Sequence, residues 1–515
     1  MSILGLDIGT TGCKAVVFAD DGAILSSAYR EYPLIFRRPG WAEIDSNVIW
    51  AAVEHVVRQA AAEASDPVQA LSVSVFGESF LPVDENGKPL YHTILSFDAR
   101  AGRQADSLTE KLGRKAIFEI TGMPQHSSYT LNKVMWLRDH EPELFRNTWK
   151  MLLWEDYFFL KLGLEPRVDY SVSGRTLALD IRTKEWARPL FDAADLDPEM
   201  FARPCPSGEL LGEVGPSAAA ALGLPAGCKV VAGGHDQPAC ALGAGVVAPG
   251  VSTDTTGTVE CMTMAMAEPV LTDAMLASNI CVYPHVVPGR YVSLAYLYTA
   301  GSILRWFRDQ FGHDALAEAA ASGRDVYELL IEKAPDGPID LFLLPHFAGS
   351  GTPYLDSDSR GLLVGLTLNH THADVCRAIL DGVAYEMRMN LDAVRSGGLQ
   401  VAKFNAIGGG SRSDRWCQTK ADVTGLPVDA LDVSEAGCLG VAMLAGTASG
   451  VWPTLDDAIA QLVRVRKSFE PSPDSQRVYD HAFQVYQRIY ATCADLNHSV
   501  AALATQLHDL REDNA

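Results

Sequence analysis

An α/β protein built as two related halves is what the sequence predicts, and three observations carry that expectation. The chain opens with Leu4, Leu6 and Ile8 alternating with Gly5, Asp7 and Gly9, and Ala15-Val16-Val17-Phe18 resumes a β-favouring run beyond Gly9-Thr10-Thr11-Gly12. That pattern reads as strand, tight turn, strand. Asp254-Thr255-Thr256-Gly257-Thr258 echoes it about half a chain later, again ahead of apolar β-type residues. Other apolar runs, Leu71–Phe76 and Phe404–Ile407, end in glycine and polar residues, the end at which open α/β sheets bind ligands. Two such glycine turns, one per half, suggest a duplicated fold with a nucleotide clamped between the halves.

The opening turn explains why these residue types suit that chemistry. Two glycines free the backbone, and their amides offer an anion cradle. Two threonine hydroxyls face whatever enters, and Asp7 just upstream could hold a metal through water. Taken alone the motif is equally a plain hairpin turn, so the weight rests on its repetition.

Bulk properties exclude several function classes. The 515 residues allow two or three domains with their own cores. A formal net charge of −22, from 42 basic and 64 acidic residues, argues against nucleic acid or an anionic membrane as partner. The ten cysteines are scattered without metal spacing, as expected of reduced thiols in a cytoplasmic protein. The start lacks a basic segment and meets Asp7 at once, unlike a signal peptide, and no uncharged apolar run reaches transmembrane length.

In chain order, a helical pattern through Trp50, Val53, Val57 and Ala61 follows the first hairpin, and the Leu71–Phe76 strand ends at Gly77-Glu78-Ser79. Glu78 is either a ligand-facing or a solvated loop acid. Asp98 and Arg100 follow a second short apolar run and are either site residues or a local ion pair. Asn132–Leu137 reads as helix and Asp169–Arg175 as loop. Residues 189–228, rich in Pro, Gly and Ala, read as irregular connection with one short helix. Lys229-Val230-Val231-Ala232 is a brief strand ending in Gly233-Gly234-His235-Asp236, where the glycines let the backbone approach a ligand and put a carboxylate at the tip. Asp236 there could accept a proton from an attacking hydroxyl or be a turn residue, and His235 reads as a neutral residue bonded to nearby backbone.

The hinge between halves is expected at Pro249-Gly250, dividing the chain into 1–248 and 249–515. Gly301 begins a helix, and Thr371-His372-Ala373-Asp374 has capping-box form ahead of an apolar face from Val375 to Leu391. Gly408-Gly409-Gly410-Ser411 joins a strand to a helix, a flat backbone surface suited to a nucleotide. Ser434–Gly437 caps another helix. From Asp474 a long helix carries apolar residues at 482, 486, 489, 493, 496, 500, 503 and 507. That spacing suits a coiled-coil seam, hence a possible homodimer, or a face packed on its own domain, the commoner use.

Assembled in order, Gly5–Lys14, Gly233–Gln237, Thr256–Thr258 and Gly408–Asp414 resemble the FGGY family of carbohydrate kinases, within the actin, hexokinase and heat-shock-chaperone superfamily. Asp98-Ala99-Arg100, Asp169-Tyr170-Ser171, Arg360-Gly361, Arg377-Ala378 and Glu435-Ala436-Gly437 extend the match from about residue 4 to about residue 450. The resemblance implies an α/β fold of two ribonuclease-H-like (actin-like ATPase) domains around a cleft, sugar chiefly in the first and ATP in the second. It implies Asp236 as general base with Gln237 beside it on the sugar, Asp7 serving Mg²⁺ through water, and Thr10, Thr11, Thr256, Gly257 and Thr258 around the phosphates. Gly409, Gly410, Ser411 and Asp414 would hold the adenosine, and Glu78, Asp98 and Arg100 would sit in the sugar pocket. Departures bear on the substrate. Gly77-Glu78-Ser79 stands where xylulose kinases usually carry Met-His-Gly, and Gly349-Ser350-Gly351-Thr352-Pro353 lacks both charges of the Gly-Glu-Arg-Thr-Pro loop of many relatives.

The expectation is therefore an ATP-dependent kinase of a ketopentose or related neutral sugar, with D-xylulose the commonest family answer. L-Ribulose, L-fuculose or glycerol are alternatives. A Glu78 carboxylate in the pocket is expected to disfavour acidic sugars. An ATP-driven binding switch of the actin or chaperone type would keep both hairpins but need no polar pocket, and a degenerate sugar-responsive regulator would not need Asp7 and Asp236.

Overall fold

The computed structural model describes residues 2–512. The opening hairpin forms as the alternation predicts: β1 (Ser2–Ile8) pairs antiparallel with β2 (Gly12–Ala19). β3 (Ile24–Glu31) continues that sheet on one side, and β4 (Val68–Val75) runs parallel to β1 on the other. β5 (Leu210–Glu213) and β6 (Lys229–Val231) complete the order β5-β6-β4-β1-β2-β3, with Gly234–His235 also pairing to β4.

The second sheet repeats this plan. It comprises β7 (Gly250–Thr256), β8 (Glu260–Met266), β9 (Cys281–Pro284), β10 (Tyr291–Leu297), β11 (Val401–Gly408), β12 (Val428–Leu431) and β13 (Val465–Phe469). Their order is β9-β10-β8-β7-β11-β12-β13. β7 has an antiparallel hairpin partner in β8 and a parallel partner in β11, as β1 has in β2 and β4. A parallel then an antiparallel strand extend each sheet beyond that point. The echo seen between the two glycine turns is thus a repeat of the whole sheet.

Helices cover both faces of the sheets, and this is why β4 is buried from Ala70 to Val75 rather than on alternate residues. α1 (Ser46–Glu63) packs Ile49, Val53 and Val57 on the side of β1 that carries Leu4, Leu6 and Ile8. α2 (Asp236–Gly243) leads away from Gly234–His235 toward the second sheet. α3 (His372–Ser396), opened by the predicted Thr371–Asp374 capping box, and α4 (Asp414–Thr424) cover the second sheet. α5 (Ala436–Ser449) follows β12 in sequence yet lies on the first sheet, packing Leu439, Val441 and Met443 against Ile3, Val16 and Phe18. Its approach explains Gly5: a Cβ there would lie 2.0 Å from the Cys438 carbonyl oxygen. Gly440 likewise faces the Ala239 carbonyl oxygen at 2.0 Å from a would-be Cβ, so α2 and α5 cross backbone to backbone.

Four local expectations change. Asp169–Arg175 is not a loop: Asp169 accepts from the backbone N–H of Ser171 and Val172 and so caps a short helix, Tyr170–Gly174. Residues 189–228 hold helices Arg188–Ala194 and Pro216–Leu222 and strands Arg203–Cys205 and Leu210–Glu213, the last recruited by β6. Ser434 does not cap α5, whose N-cap residue is Glu435 with no side-chain cap bond. In the long helix α6 (Pro473–Glu512), the line of buried residues drifts off the expected seam. Tyr479, Phe483, Tyr486 and Ile489 are buried, the line passes on through Asn497 and Ala501, and Leu496, Val500, Leu503 and Leu507 are exposed. A straight helix turns 3.6 residues at a time, so a strict seven-residue repeat leaves its face.

Candidate active site

The base of the site is the carboxyl end of the first sheet. Asp7, next to last in β1, accepts from Ser74 Oγ at 2.6 Å across the parallel β1–β4 pairing. Burial raises its carboxyl above the ordinary aspartate value, and the Ser74 hydrogen bond works against that rise. The α5 N-terminus arrives here: a Cβ on Gly437 would lie 3.5 Å from Asp7 Oδ1. Lys14, opposite Asp7 in the hairpin, reaches Glu435 at 2.8 Å just ahead of that helix. The Thr10-Thr11 turn between them is closed by the Gly9 N–H donating to the Gly12 carbonyl at 2.9 Å.

Asp236 is the first residue of α2, after the Gly234–His235 strand end that pairs with Ser74 and Val75. Its side chain is 31% exposed, so one edge is open. Desolvation on its other sides pushes the carboxyl up to about 7, and the charges of Asp7 and Glu78 add to the rise. Oδ1 lies 3.1 Å from His235 Nε2 and has no hydrogen-bond partner among the described residues. Gln237 Oε1 is buried and equally unpartnered there. An orphaned buried acceptor such as Gln237 Oε1 is what a hydroxyl-bearing ligand would satisfy.

A buried frame holds this strand end in place. Glu155 accepts from the N–H of Gly233 at 2.9 Å and of Asp169 at 2.6 Å. Asp169 also accepts from Ser207 Oγ at 2.6 Å, and Ser171 Oγ accepts from the His235 N–H at 2.9 Å. The short Tyr170–Gly174 helix therefore ties the Asp236 tip to the body of the domain, and Arg175 at its end pairs with Glu78.

Glu78, in the turn after β4, adopts φ 58, a left-handed conformation unusual for a residue with a side chain. Its Oε1 accepts from Arg175 Nε at 2.6 Å, and its carbonyl accepts from Thr130 Oγ1 at 3.0 Å. Arg175 also reaches Cys281 Sγ of β9 at 3.2 Å and lies over the Tyr283 ring at 5.1 Å. Asp98 and Arg100 form the local ion pair that was one of their two readings. Arg100 donates to both Asp98 oxygens at 2.8 and 2.7 Å and to Glu43 at 2.7 Å, wholly buried between Trp41 and Trp136 at 3.9 and 4.9 Å.

A separate cleft of about 900 Å³ opens on the second sheet. Of the residues expected around a nucleotide, Thr256, Gly257, Thr258, Gly409, Gly410 and Asp414 line it together. Ser411 is buried just behind, its Oγ donating to the Gly408 carbonyl at 2.8 Å. Thr10, Thr11, Asp7 and Asp236 lie outside this lining, at the first-sheet centre described above. Gly410 is required: a Cβ would sit 2.5 Å from Thr256 Cβ. Asp414 is held below the ordinary carboxylate range by Lys467 at 2.6 Å and Arg466 at 2.8 Å. Leu304, Ile331 and Trp416 give the cleft an apolar wall, and Arg305, Arg412, Arg415 and Arg466 line it beside Asp325, Glu328, Glu332 and Asp414.

Beneath that hairpin is a group sequence reading missed. Lys420 of α4 is buried and donates to Asp254 at 2.6 Å, to Thr256 Oγ1 and to Glu260 at 3.0 Å. Burial alone would raise Asp254, but Lys420 brings it below the ordinary value, while burial and the Asp254 charge push Glu260 well above. Charged lysine, ionised Asp254 and protonated Glu260 balance, and the lysine fixes the Thr256 hydroxyl. Arg175, Tyr283 and Lys420 each act on a partner distant in sequence, so no local motif announces them.

Comparison with known proteins bears on the whole chain. Residues 2–243 match the N-terminal domain, and residues 254–449 the C-terminal domain, of the FGGY family of carbohydrate kinases. A xylulose kinase of Lactococcus lactis is 28% identical over 505 residues, covering 97% of this chain and 98% of its own. An autoinducer-2 kinase of Salmonella typhimurium is 29% identical over 501 residues, covering 95% and 94%. Among solved structures, a xylulose kinase from Rhodospirillum rubrum superposes with a TM-score of 0.85 at 27% identity, covering 97% of this chain and 100% of that one.

Proposed function

Because the chain belongs to the FGGY family of carbohydrate kinases, it is a sugar phosphotransferase that uses ATP, and we propose that its acceptor is a terminal hydroxyl of a ketopentose or related neutral sugar, D-xylulose first among them. The observation that carries this reading is Asp236: one oxygen lies beside His235, the side chain is open on one edge, and the carboxyl is raised to about 7. A base with that affinity for protons suits a hydroxyl acceptor near neutral pH.

In this reading Asp236 takes the proton of the sugar hydroxyl as its oxygen bonds to the γ-phosphorus. The bond from that phosphorus to the β,γ-bridging oxygen breaks, and ADP leaves with the electron pair. Gln237 and Glu78 orient the sugar. Asp98 and Arg100 support the pocket from behind by fixing Trp41 and Trp136. Thr10, Thr11, Thr256, Gly257 and Thr258 hold the phosphates, and Gly409, Gly410, Ser411 and Asp414 the adenosine. Residues 1–248 then form mainly the sugar half and 249–515 mainly the ATP half, with α5 reaching back across the division.

Mg²⁺ fits the donor set in one way. No group of three or more His, Cys, Asp or Glu suited to a metal occurs among the described residues, and Asp7 has one oxygen engaged by Ser74. Asp7 would hold the ion through water while ATP supplies its remaining oxygen ligands, and the ion would neutralise phosphate charge. We further propose a cytoplasmic enzyme, since its ten cysteines are unpaired, the state a reducing compartment maintains. Among the described residues no helix is long and apolar enough to cross a membrane.

The test is an ADP-release assay with D-xylulose, L-ribulose, L-fuculose, glycerol, gluconate and autoinducer-2. A ketose giving the highest kcat/KM supports the reading. Glycerol, gluconate or autoinducer-2 in that place overturns the substrate assignment.

A further inference from the structure

The residue next to Asp236 is held by contacts of its own. His235 is 4% exposed. Its Nε2 lies 3.1 Å from Asp236 Oδ1, its Nδ1 3.0 Å from the Tyr283 hydroxyl, and its backbone N–H is held by Ser171. Gly77 lies against the same ring, where a Cβ would come within 2.7 Å of both Cδ2 and Nε2. The ring is therefore confined by neighbours from β9 of the second sheet and from the turn after β4, while the Tyr170–Gly174 helix holds the backbone. We propose that His235 is a positioning residue for Asp236, oriented by Tyr283 and given its space by Gly77; this rests on the reading of Asp236 as the base.

Donor chemistry fixes the direction of these contacts. A neutral imidazole has one N–H, an ionised carboxylate only accepts, and a phenol can donate or accept. With Asp236 ionised, the form that can take a proton, the hydrogen belongs on Nε2, the nitrogen 3.1 Å from Oδ1. Nδ1 then accepts from the Tyr283 hydroxyl. Burial and the neighbouring Arg175 charge hold His235 neutral, as this requires. Asp236 Oδ1 is buried with no hydrogen bond among the described residues, and His235 Nε2 at 3.1 Å would supply one once its N–H turns onto that oxygen, leaving Oδ2 for the substrate. The contacts also cross between the sheets, because Tyr283 belongs to β9 while His235 pairs with the first sheet and leads into Asp236. Gly77 then has a reason to be glycine: any side chain there would displace the ring.

The test compares Tyr283→Phe, His235→Leu, His235→Gln and Asp236→Asn in the full-length enzyme, measuring kcat and both KM values with ATP and the best sugar. Tyr283→Phe removes one hydroxyl and keeps the buried ring, so it decides the matter even if His235→Leu does not fold. We expect kcat to fall about tenfold or more in Tyr283→Phe and His235→Leu, the cost of a displaced catalytic group. Both KM values should stay within about twofold, and His235→Gln, which can still donate, should recover part of the loss. Wild-type kcat in Tyr283→Phe with Asp236→Asn inactive overturns the inference and leaves the base assignment standing. A fall in kcat matched by rises in both KM values marks a general structural lesion and also overturns it. An active Asp236→Asn removes the base assignment itself, and this inference with it.

Discussion

Arg175 donates through Nε to Glu78 Oε1 at 2.6 Å, joining residues 97 positions apart in one nearly buried ion pair beside Asp236. The pair changes what Glu78 offers a substrate. A lone carboxylate would repel acidic sugars, but a carboxylate matched by a guanidinium presents little net charge, so that ground for rejecting aldonates falls away. Glu78 keeps its φ 58 conformation with its backbone carbonyl accepting from Thr130 Oγ1 at 3.0 Å.

The same pair sets a pH dependence. Asp236 must be ionised to accept a proton, and its carboxyl is raised to about 7, so kcat should climb as pH rises through that value and fall below it. Glu78 contributes to the rise and Arg175 opposes it. Glu78→Gln should therefore move the acid limb of the kcat profile to lower pH, and Arg175→Met should move it higher. Profiles of the three proteins decide it. Shifts in the opposite directions, or no shift, would refute the electrostatic coupling.

Lys420 is a stability prediction. Replacing it with methionine leaves Asp254 and Glu260 buried without their cation, and breaking such a group costs about 3–5 kcal/mol. Thermal melting of Lys420→Met should show a clearly lowered Tm, with saturating ATP recovering only part of it. A variant that melts with the wild type would mean that the cluster contributes nothing to the fold.

Gly410 gives a prediction confined to the nucleotide. A Cβ there would meet Thr256 at 2.5 Å, so Gly410→Ala must displace a side chain that lines the cleft proposed for ATP. The KM for ATP should rise about tenfold while the KM for sugar stays put. Steady-state kinetics with each substrate varied in turn measure this, and equal changes in both would point to a global defect.

What the sequence made legible was local or repeated. The two glycine hairpins are visible because turn residues must be where the backbone turns, and their repetition implied two sheets of one plan. Gly77 and Gly410 are visible as glycines, but the ring of His235 and the methyl of Thr256 that demand them are not. Arg175, Tyr283 and Lys420 escaped because each serves a partner brought close only by the fold. Residues 189–228 looked irregular since β5 exists only against β6, and Asp169 capped a helix too short to show a period. In α6 the apolar spacing was real but described two different faces, one packed and one exposed.

The most direct test of the account is the turnover of Asp236→Asn, measured as ADP release with D-xylulose and ATP beside nucleotide and sugar affinities. Asparagine keeps the shape and cannot accept the proton. Loss of a general base lowers kcat by about 10²–10⁴-fold, and affinities for ATP and sugar should stay close to those of the wild type. Near-wild-type turnover in this variant would contradict the assignment of Asp236 as the base.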